Sequence, residues 1–191
     1  CSAACPLKLD AKAMTQAIAQ GNFDKALGLY EKITPLPHIL SALCEAPCEG
    51  KCKLCSLGEG IALRQLEAAA VSYGSRGKGR GLLRKKTKAV AIFGADLFTL
   101  FLAGELSKKM YPVTFYLSQS DAGALLTQVL PKVPQGAEAD VSGLDVRFLW
   151  NAEPEDGFRQ EAEKYDLVCA SFDVFRALFP ENHAEEALMV C

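Results

Sequence analysis

Residues 44–55 read Cys-Glu-Ala-Pro-Cys-Glu-Gly-Lys-Cys-Lys-Leu-Cys, which places four of the chain's eight cysteines in one short stretch. Cysteines three or four positions apart are poor disulfide partners for one another, and a 191-residue chain that is 50% hydrophobic can build a core without disulfide bonds. The C-x3-C and C-x2-C spacings suit thiolate ligands of a metal centre instead. The stretch therefore predicts a metal or iron–sulfur site around which its part of the chain folds.

Zinc and iron–sulfur clusters are the two candidates for this site. Zinc modules usually show two separated C-x2-C pairs or histidines, and neither His38 nor His183 is placed to contribute. The stretch Cys1-Ser-Ala-Ala-Cys5-Pro6 matches the end of the ferredoxin-type run C-x2-C-x2-C-x3-C-P, whose last cysteine serves a second cluster. These spacings favour one or two [4Fe–4S] clusters over zinc. Because such a run would begin before Cys1, we expect further ligands upstream.

The charges divide the chain into three parts. Residues 1–75 carry seven basic and seven acidic side chains, residues 76–88 carry seven basic and no acidic ones, and residues 89–191 carry seven basic and sixteen acidic ones. The middle stretch has three glycines and no aromatic residue, which indicates a solvated linker; a surface for an acidic partner or a cofactor phosphate is the alternative. We therefore predict domains at 1–75 and 89–191, joined by a basic, glycine-rich linker at 76–88.

The first part has a helical pattern. Apolar residues recur at helical spacing over 9–20, 24–33 and 61–73. Gly21-Asn22 ends the first of these segments, and the prolines of Thr34-Pro35-Leu36-Pro37 prevent the second from continuing. We expect a helical hairpin, a cysteine loop and a further helix.

The pattern changes after Lys88. The run 89–93 is short, apolar and β-branched, as is typical of a buried parallel strand, and Gly94 follows it. A helix over 97–109 and a strand over 113–117 would complete a β-α-β unit. Two more strands are expected at 145–150 and 166–170, with a helix over 155–164 between them. The predicted fold is an α-helical iron–sulfur domain followed by an α/β Rossmann-like domain.

The order of these motifs resembles the family of the glutamate synthase small subunit and the N-terminal part of dihydropyrimidine dehydrogenase. The matching positions are Cys1-x3-Cys5-Pro6, residues 21–27, Pro35-Leu36-Pro37, residues 43–52, Ile61-x5-Glu67, and, in the second part, residues 90–116 and 163–168. The resemblance implies a helical domain with two [4Fe–4S] clusters, followed by an FAD-binding Rossmann-type domain.

The resemblance also implies a set of ligands for each cluster. The first set is Cys5, Cys44, Cys48 and, as a non-cysteine fourth ligand, Glu67. The second set contains Cys1 and Cys52. Cys55 is additional to the family pattern, either as a substitute ligand or as a nearby thiol. Spacing alone would make Glu67 a surface carboxylate on a helix.

The flavin motif of that family is degenerate in this chain. FAD binding needs G-x-G-x-x-G, so that backbone can approach the pyrophosphate, and an acidic residue after the second strand to bind the ribose. Gly94-Ala95-Asp96-Leu97-Phe98-Thr99 keeps only the first glycine, and Leu117 stands at the ribose position. We therefore expect no FAD site, assign no catalytic residue, and interpret residues 89–191 as a pseudo-flavin scaffold.

These features predict a non-catalytic iron–sulfur electron-transfer subunit that serves a larger oxidoreductase subunit carrying flavin or a catalytic metal. The alternatives are the N-terminal part of an FAD-dependent NAD(P)H oxidoreductase and a zinc-stabilised interaction module. A net charge of -2 gives no reason to expect nucleic acid, and no apolar run reaches the about 18 residues of a membrane span. Thiolate ligands favour a reducing compartment, so a cytoplasmic location is expected.

Overall fold

The computed structural model describes residues 3–75 and 84–180, which fall into two compact units. The helical unit comprises the described part of Cys1–Gly81 together with Pro134–Asp140. The α/β unit comprises the described part of Leu82–Val133 and of Val141–Cys191. The predicted ligand Cys1 and residues 76–83 of the predicted linker lie outside the described residues.

The helical unit is built from four helices and a cysteine loop. The helices are α1 (Ala11–Ala19), α2 (Phe23–Glu31), α3 (Pro37–Leu43) and α4 (Leu63–Tyr73). Two short 3-10 turns, Glu49–Lys51 and Lys53–Ser56, shape the loop between α3 and α4. Asp10 and Asn22 cap α1 and α2, since their side chains accept the backbone N–H groups three residues ahead, at 3.0 and 2.9 Å.

Helix α3 is a feature that the sequence prediction did not include. The prolines at 35 and 37 indicated only a break, and the break is present, but a new helix begins at Pro37. Proline is tolerated at the first helical position, because the N–H that it lacks would have no partner within the helix. The helix ends at Leu43, so the next residue, Cys44, enters the loop directly from it.

An apolar core packs the helices of the helical unit together. Its buried members are Leu9, Ala11, Met14, Ala17, Ala26, Leu27, Tyr30, Cys48, Leu63, Ala70 and Val71. They come from α1, α2, α4 and the cysteine loop at the helical spacing that the sequence predicted. Because Cys48 belongs to this core, the loop is anchored in the interior of the unit.

The α/β unit contains a four-stranded parallel sheet with helices, which confirms the predicted α/β class of this part of the chain. The strands are β1 (Val90–Phe93), β2 (Val113–Tyr116), β3 (Arg147–Leu149) and β4 (Leu167–Ala170), in the order β3-β2-β1-β4. The helices are α5 (Leu97–Lys108), α6 (Ala122–Val129), α7 (Ala137–Ser142), α8 (Pro154–Glu161) and α9 (Phe172–Leu178). The first residues of α7, up to Asp140, belong to the helical unit.

Strand β1 is central and buried along its whole length, as its continuous apolar run predicted. The ring of Phe93 stacks on Tyr116 of β2 at a centroid distance of 4.4 Å and meets Phe158 of α8 edge-on at 5.4 Å. A glycine at position 157 lets α8 approach these rings, because a Cβ there would lie 3.0 Å from the Tyr116 ring. Within the described residues, no helix has both the length and the apolar character needed to cross a membrane.

Candidate metal centre

The backbone of the cysteine loop presents Cys44 to the interior. Its N–H donates to the Leu40 carbonyl at 2.9 Å, which fixes the residue to the last turn of α3. Two residues on, Ala46 adopts a left-handed conformation with φ of 50°. This turn directs the Ala46 N–H toward the Cys44 sulfur, at 3.4 Å. Such N–H···S contacts stabilise a thiolate ligand and influence the potential of a cluster that it holds.

Glu49 connects the cysteine loop to α4 through a hydrogen bond. Its carboxylate accepts the N–H of Arg64 at 2.8 Å, in the first turn of that helix. The Arg64 guanidinium in turn donates to the Ala42 carbonyl, at 3.4 Å. The residue before α4, Ala62, offers no side-chain cap, so the loop supplies one from fifteen residues away. One helical turn after Arg64, the same helix carries Glu67.

Glu67 is 97% buried, unlike the surface carboxylate that helical spacing alone would predict. The hydroxyl of Tyr30, also buried, donates to its Oε2 at 3.3 Å. The Cys44 thiol is a second hydrogen-bond partner of this carboxyl group. Sequence reasoning did not identify Tyr30 as part of the site, because it is simply one more apolar position on the inner face of α2.

Cys5, Cys44, Cys48 and Glu67, the first predicted ligand set, are neighbours in the structure. Burial raises the pKa of the Cys44 thiol most strongly; the Ala46 N–H opposes this rise, whereas Glu67 and Cys5 add to it. Burial also raises the pKa of Cys48, and Glu67, Cys44 and Cys5 contribute as nearby negative groups. The pKa of Glu67 is raised by burial against the opposing hydrogen bonds from Tyr30 and Cys44.

Cys52 and Cys55 form a separate pair on the outer side of the loop. The sulfur of Cys52 accepts backbone N–H groups, first of all that of Ile61 and then that of Leu54, and these lower its pKa. Cys55 is exposed and lies beside Cys52. Gly60 packs against both, since a Cβ at this position would lie 2.6 Å from the Cys55 sulfur and 3.9 Å from that of Cys52. Sequence reasoning did not indicate this close approach.

Five of the six described cysteines thus fall into two groups, with three near Glu67 and two near Gly60, and the sixth, Cys169, lies in β4. Within residues 3–75 and 84–180, no three His, Cys, Asp or Glu side chains are arranged to hold a single metal ion. A four-iron cluster is wider than one ion and binds each cysteine through a different iron atom. The ligands of such a cluster therefore need not be close enough to share one metal ion.

At the start of α5, Asp96 occupies the position of the second glycine of a dinucleotide motif. Its Oδ1 accepts the Thr99 N–H at 2.7 Å, and the Thr99 hydroxyl accepts the Asp96 N–H at 2.9 Å, which makes a reciprocal capping box. Its Oδ2 accepts the N–H of Phe172, at the start of α9, at 3.2 Å. The Asp96 carboxylate thus accepts hydrogen bonds from backbone amides at the beginnings of two helices.

Residues 1–78 match the family model described as dihydropyrimidine dehydrogenase domain II, 4Fe-4S cluster. The N-terminal part of this chain is therefore similar to that 4Fe-4S domain. The family resemblance inferred from the cysteine motifs is confirmed, and the cysteine loop with its surrounding helices is an iron–sulfur electron-transfer domain. The zinc interaction module considered from the sequence has no comparable support.

Three similar proteins extend the comparison beyond the iron–sulfur domain. The NADPH-Fe(3+) oxidoreductase subunit beta of Geobacter sulfurreducens is 28% identical over 181 residues, covering 88% of this chain and 27% of that protein. The NADP(+)-dependent formate dehydrogenase subunit beta of Moorella thermoacetica is 26% identical over 69% of this chain and 22% of its own length. The glutamate synthase [NADPH] small chain of Bacillus subtilis is 27% identical over 68% of this chain and 27% of its own. The chain spans about a quarter of the length of these relatives.

The donor set of the iron–sulfur domain fits a [4Fe–4S] cluster chemically. Soft thiolates are the ligands that such clusters prefer, and the buried Cys48 and Glu67 have the half-buried Cys44 and Cys5 as neighbours. In the outer group, the absence of a side chain at Gly60 leaves room beside the two sulfurs. Backbone N–H donors reach the sulfurs of Cys44 and Cys52, one in each group.

Proposed function

We propose that the helical unit holds its [4Fe–4S] clusters with the ligand sets implied by the family pattern. The first would be bound by Cys5, Cys44, Cys48 and Glu67. The buried Cys48 and Glu67, with the half-buried Cys44 and Cys5 as neighbours, support this set, because a buried thiol and carboxyl group gain from a cationic centre that binds their deprotonated forms. When bound, a [4Fe–4S] cluster accepts and releases one electron at a time.

The second cluster would use Cys1 and Cys52. Cys55 lies next to Cys52 and against the same glycine, so we assign it to this second site rather than to the first. Its exposure would place this site near the surface of the unit, whereas the buried Cys48 and Glu67 would place the first in the interior. One site near solvent and one in the core suit a relay between an external donor and an internal acceptor.

We propose that the α/β unit is a Rossmann-like scaffold that does not bind FAD. Its strand order, β3-β2-β1-β4, equals the first four strands of the six-strand order found in dinucleotide-binding domains. A bound pyrophosphate would need the amide groups at the start of α5, where the Asp96 carboxylate now accepts the Thr99 N–H. The pyrophosphate and the Asp96 carboxylate, both negative, would repel each other at this position.

The role that follows is that of a non-catalytic electron-transfer subunit, located in the cytoplasm. Its partner would be a larger oxidoreductase subunit that carries flavin or a catalytic metal. The relatives named as subunits of an NADPH-Fe(3+) oxidoreductase and of a formate dehydrogenase support a place in such a complex. The net charge of -2 gives no support to a nucleic-acid partner.

A second candidate is the N-terminal part of an FAD-dependent NAD(P)H oxidoreductase of the glutamate synthase small-subunit type. The observation that favours it is the short span of the chain, about a quarter of relatives whose names include NADPH or NADP(+). The two candidates differ in whether this chain itself holds flavin.

The test is to purify the chain without oxygen and to quantify iron, acid-labile sulfide and flavin per chain. We expect a brown protein with iron and sulfide in about equal amounts, as in cubane clusters, and no released flavin. Stoichiometric flavin released on denaturation would replace the scaffold proposal with the second candidate. Zinc as the only stoichiometric metal would refute the proposed clusters.

A further inference from the structure

Asp140 makes an unexpected contribution to the helical unit. It follows α6 in the chain, more than sixty residues after α4, yet the segment Pro134–Asp140 packs as part of the helical unit. Its side chain is fully buried. Its Oδ1 lies 2.7 Å from Nδ1 of His38, and its Oδ2 accepts the N–H of Ile39 at 3.0 Å.

These contacts give α3 a cap that its own sequence lacks. The residue that precedes the helix, Leu36, has no side-chain oxygen, and Pro37 at the first position has no N–H. The next amides are those of His38 and Ile39, and a carboxylate is a favourable group at this end of a helix. Asp140 satisfies the Ile39 amide and binds the His38 ring at the same time.

The backbone of Gly136 holds the same ring from a second direction. Gly136 has φ of 82°, and a Cβ at this position would lie 2.3 Å from Cδ2 of His38. Only glycine allows this approach, because the left-handed conformation and the contact both exclude a side chain. The ring is thus held both by a buried carboxylate and by the backbone four residues before it.

Helix α3 leads directly to a proposed cluster ligand. Cys44 is hydrogen-bonded through its N–H to Leu40 in the last turn, and its thiol is a partner of Glu67. We propose that Asp140 is a positioning residue for Cys44: by capping α3 and fixing His38, it sets the place from which Cys44 faces the other ligands. This inference rests on the proposed first cluster, but the order that it imposes on α3 exists without the cluster.

The test compares Asp140→Ala with Asp140→Asn and with Glu138→Ala, an exposed acidic position in the same short helix. One measurement is the rate at which an iron chelator removes the cluster, with the electron paramagnetic resonance spectrum of the reduced protein as its signature. The other is the alkylation rate of Cys44 in the metal-free protein, relative to that of Cys5, read by peptide mass spectrometry. Cys5 serves as an internal reference because it precedes α1 and does not depend on α3.

We expect Asp140→Ala to speed both cluster loss and alkylation of Cys44 about tenfold, since hydrogen bonds to a buried charged group are lost. The Cys5 rate should change much less. Asp140→Asn should recover most of the loss, because an amide oxygen can still accept the Ile39 N–H. Glu138→Ala should match the unchanged protein in both measurements.

The outcomes separate the inference from the proposed function. An unchanged protein that holds no iron would refute the proposed cluster, while the alkylation ratio would still decide the role of Asp140. If Cys44 and Cys5 accelerate equally in Asp140→Ala, the residue acts on overall stability alone and the inference is wrong. Equal behaviour of Asp140→Ala and Glu138→Ala would overturn it as well. Should Asp140→Ala fail to fold, His38→Ala carries the same test with one contact removed.

Discussion

Replacement of Asp96 by alanine should destabilise the α/β unit rather than open a dinucleotide site. The substitution removes the acceptor of the Thr99 N–H at 2.7 Å, which caps α5, and of the Phe172 N–H at 3.2 Å, at the start of α9. Loss of an aspartate cap typically costs about 1 kcal/mol, and the second amide adds a similar amount. We therefore expect the free energy of unfolding to fall by roughly 2 kcal/mol.

Urea denaturation followed by tryptophan fluorescence can measure this loss. Trp150 is the only tryptophan of the chain, and it stacks on Phe148 of β3 at 5.0 Å, so its emission reports on the α/β unit. With a slope of about 2 kcal/mol per molar urea, the midpoint should fall by about 1 M at unchanged slope. Asp121→Ala is the matched control: its Oδ1 accepts the Ala124 N–H at the start of α6 and its Oδ2 accepts the hydroxyl of the adjacent Ser120, so one helix cap is lost instead of contacts to two helices and the midpoint should fall less.

Two results would contradict this reasoning. If Asp96 made no stabilising contacts and only blocked an otherwise intact phosphate site, its replacement would leave the urea midpoint unchanged or raise it, because a repulsive charge would be removed. If the variant bound FAD with a defined stoichiometry, the remaining departures at Thr99 and Leu117 would not matter, and the scaffold proposal would be wrong. Equilibrium dialysis against FAD, with the unchanged protein in parallel, measures the second outcome.

The remaining predictions concern the cysteines. Cys48→Ser should lose iron and lower the stability of the helical unit, because ligation energy contributes to folding. The control Cys169→Ser changes a half-buried cysteine in a strand of the other unit and should keep its iron. Equal iron loss in both variants would refute the ligand assignment. Gly60→Ala should reduce the iron content or alter the electron paramagnetic resonance spectrum. The new Cβ would lie 2.6 Å from the Cys55 sulfur, which would have to move away. Gly50→Ala, in the same loop with no atom in the way, is its control and should change neither.

Much of the fold followed from local patterns. The predicted helices over 9–20 and 24–33 correspond to α1 and α2 within about two residues at each end, and the apolar run at 89–93 became the central strand β1. These elements are specified by their own periodicity, so a sequence reader sees the same signal that drives burial. Helix α3 was missed because the proline that starts it gives the same signal as a proline that ends a helix.

The features that sequence reasoning could not reach are long-range contacts. Glu67 has the spacing of a surface carboxylate on α4, and only the packing of Tyr30 and Cys44 against it explains its burial. Asp140 caps a helix from about a hundred residues away, and nothing in the local sequence of either segment records the pairing. Family resemblance singled out Glu67 as an expected ligand, and that assignment stays a prediction, but the resemblance gave no indication of the Asp140 contact.

Asp96 and Glu67 are carboxylates with contrasting surroundings, one in each unit. Asp96 meets the backbone amides of two helices, so its charge is balanced by the protein itself and needs no ligand. Glu67 is buried among thiols and a tyrosine hydroxyl, groups that become negative, not positive, when they ionise. A group of that kind gains most from a cationic centre that binds the deprotonated ligands. The two units thus differ in their electrostatics: backbone amides satisfy the Asp96 carboxylate, as the proposed scaffold requires, whereas the acidic groups around Glu67 suit the proposed iron–sulfur cluster.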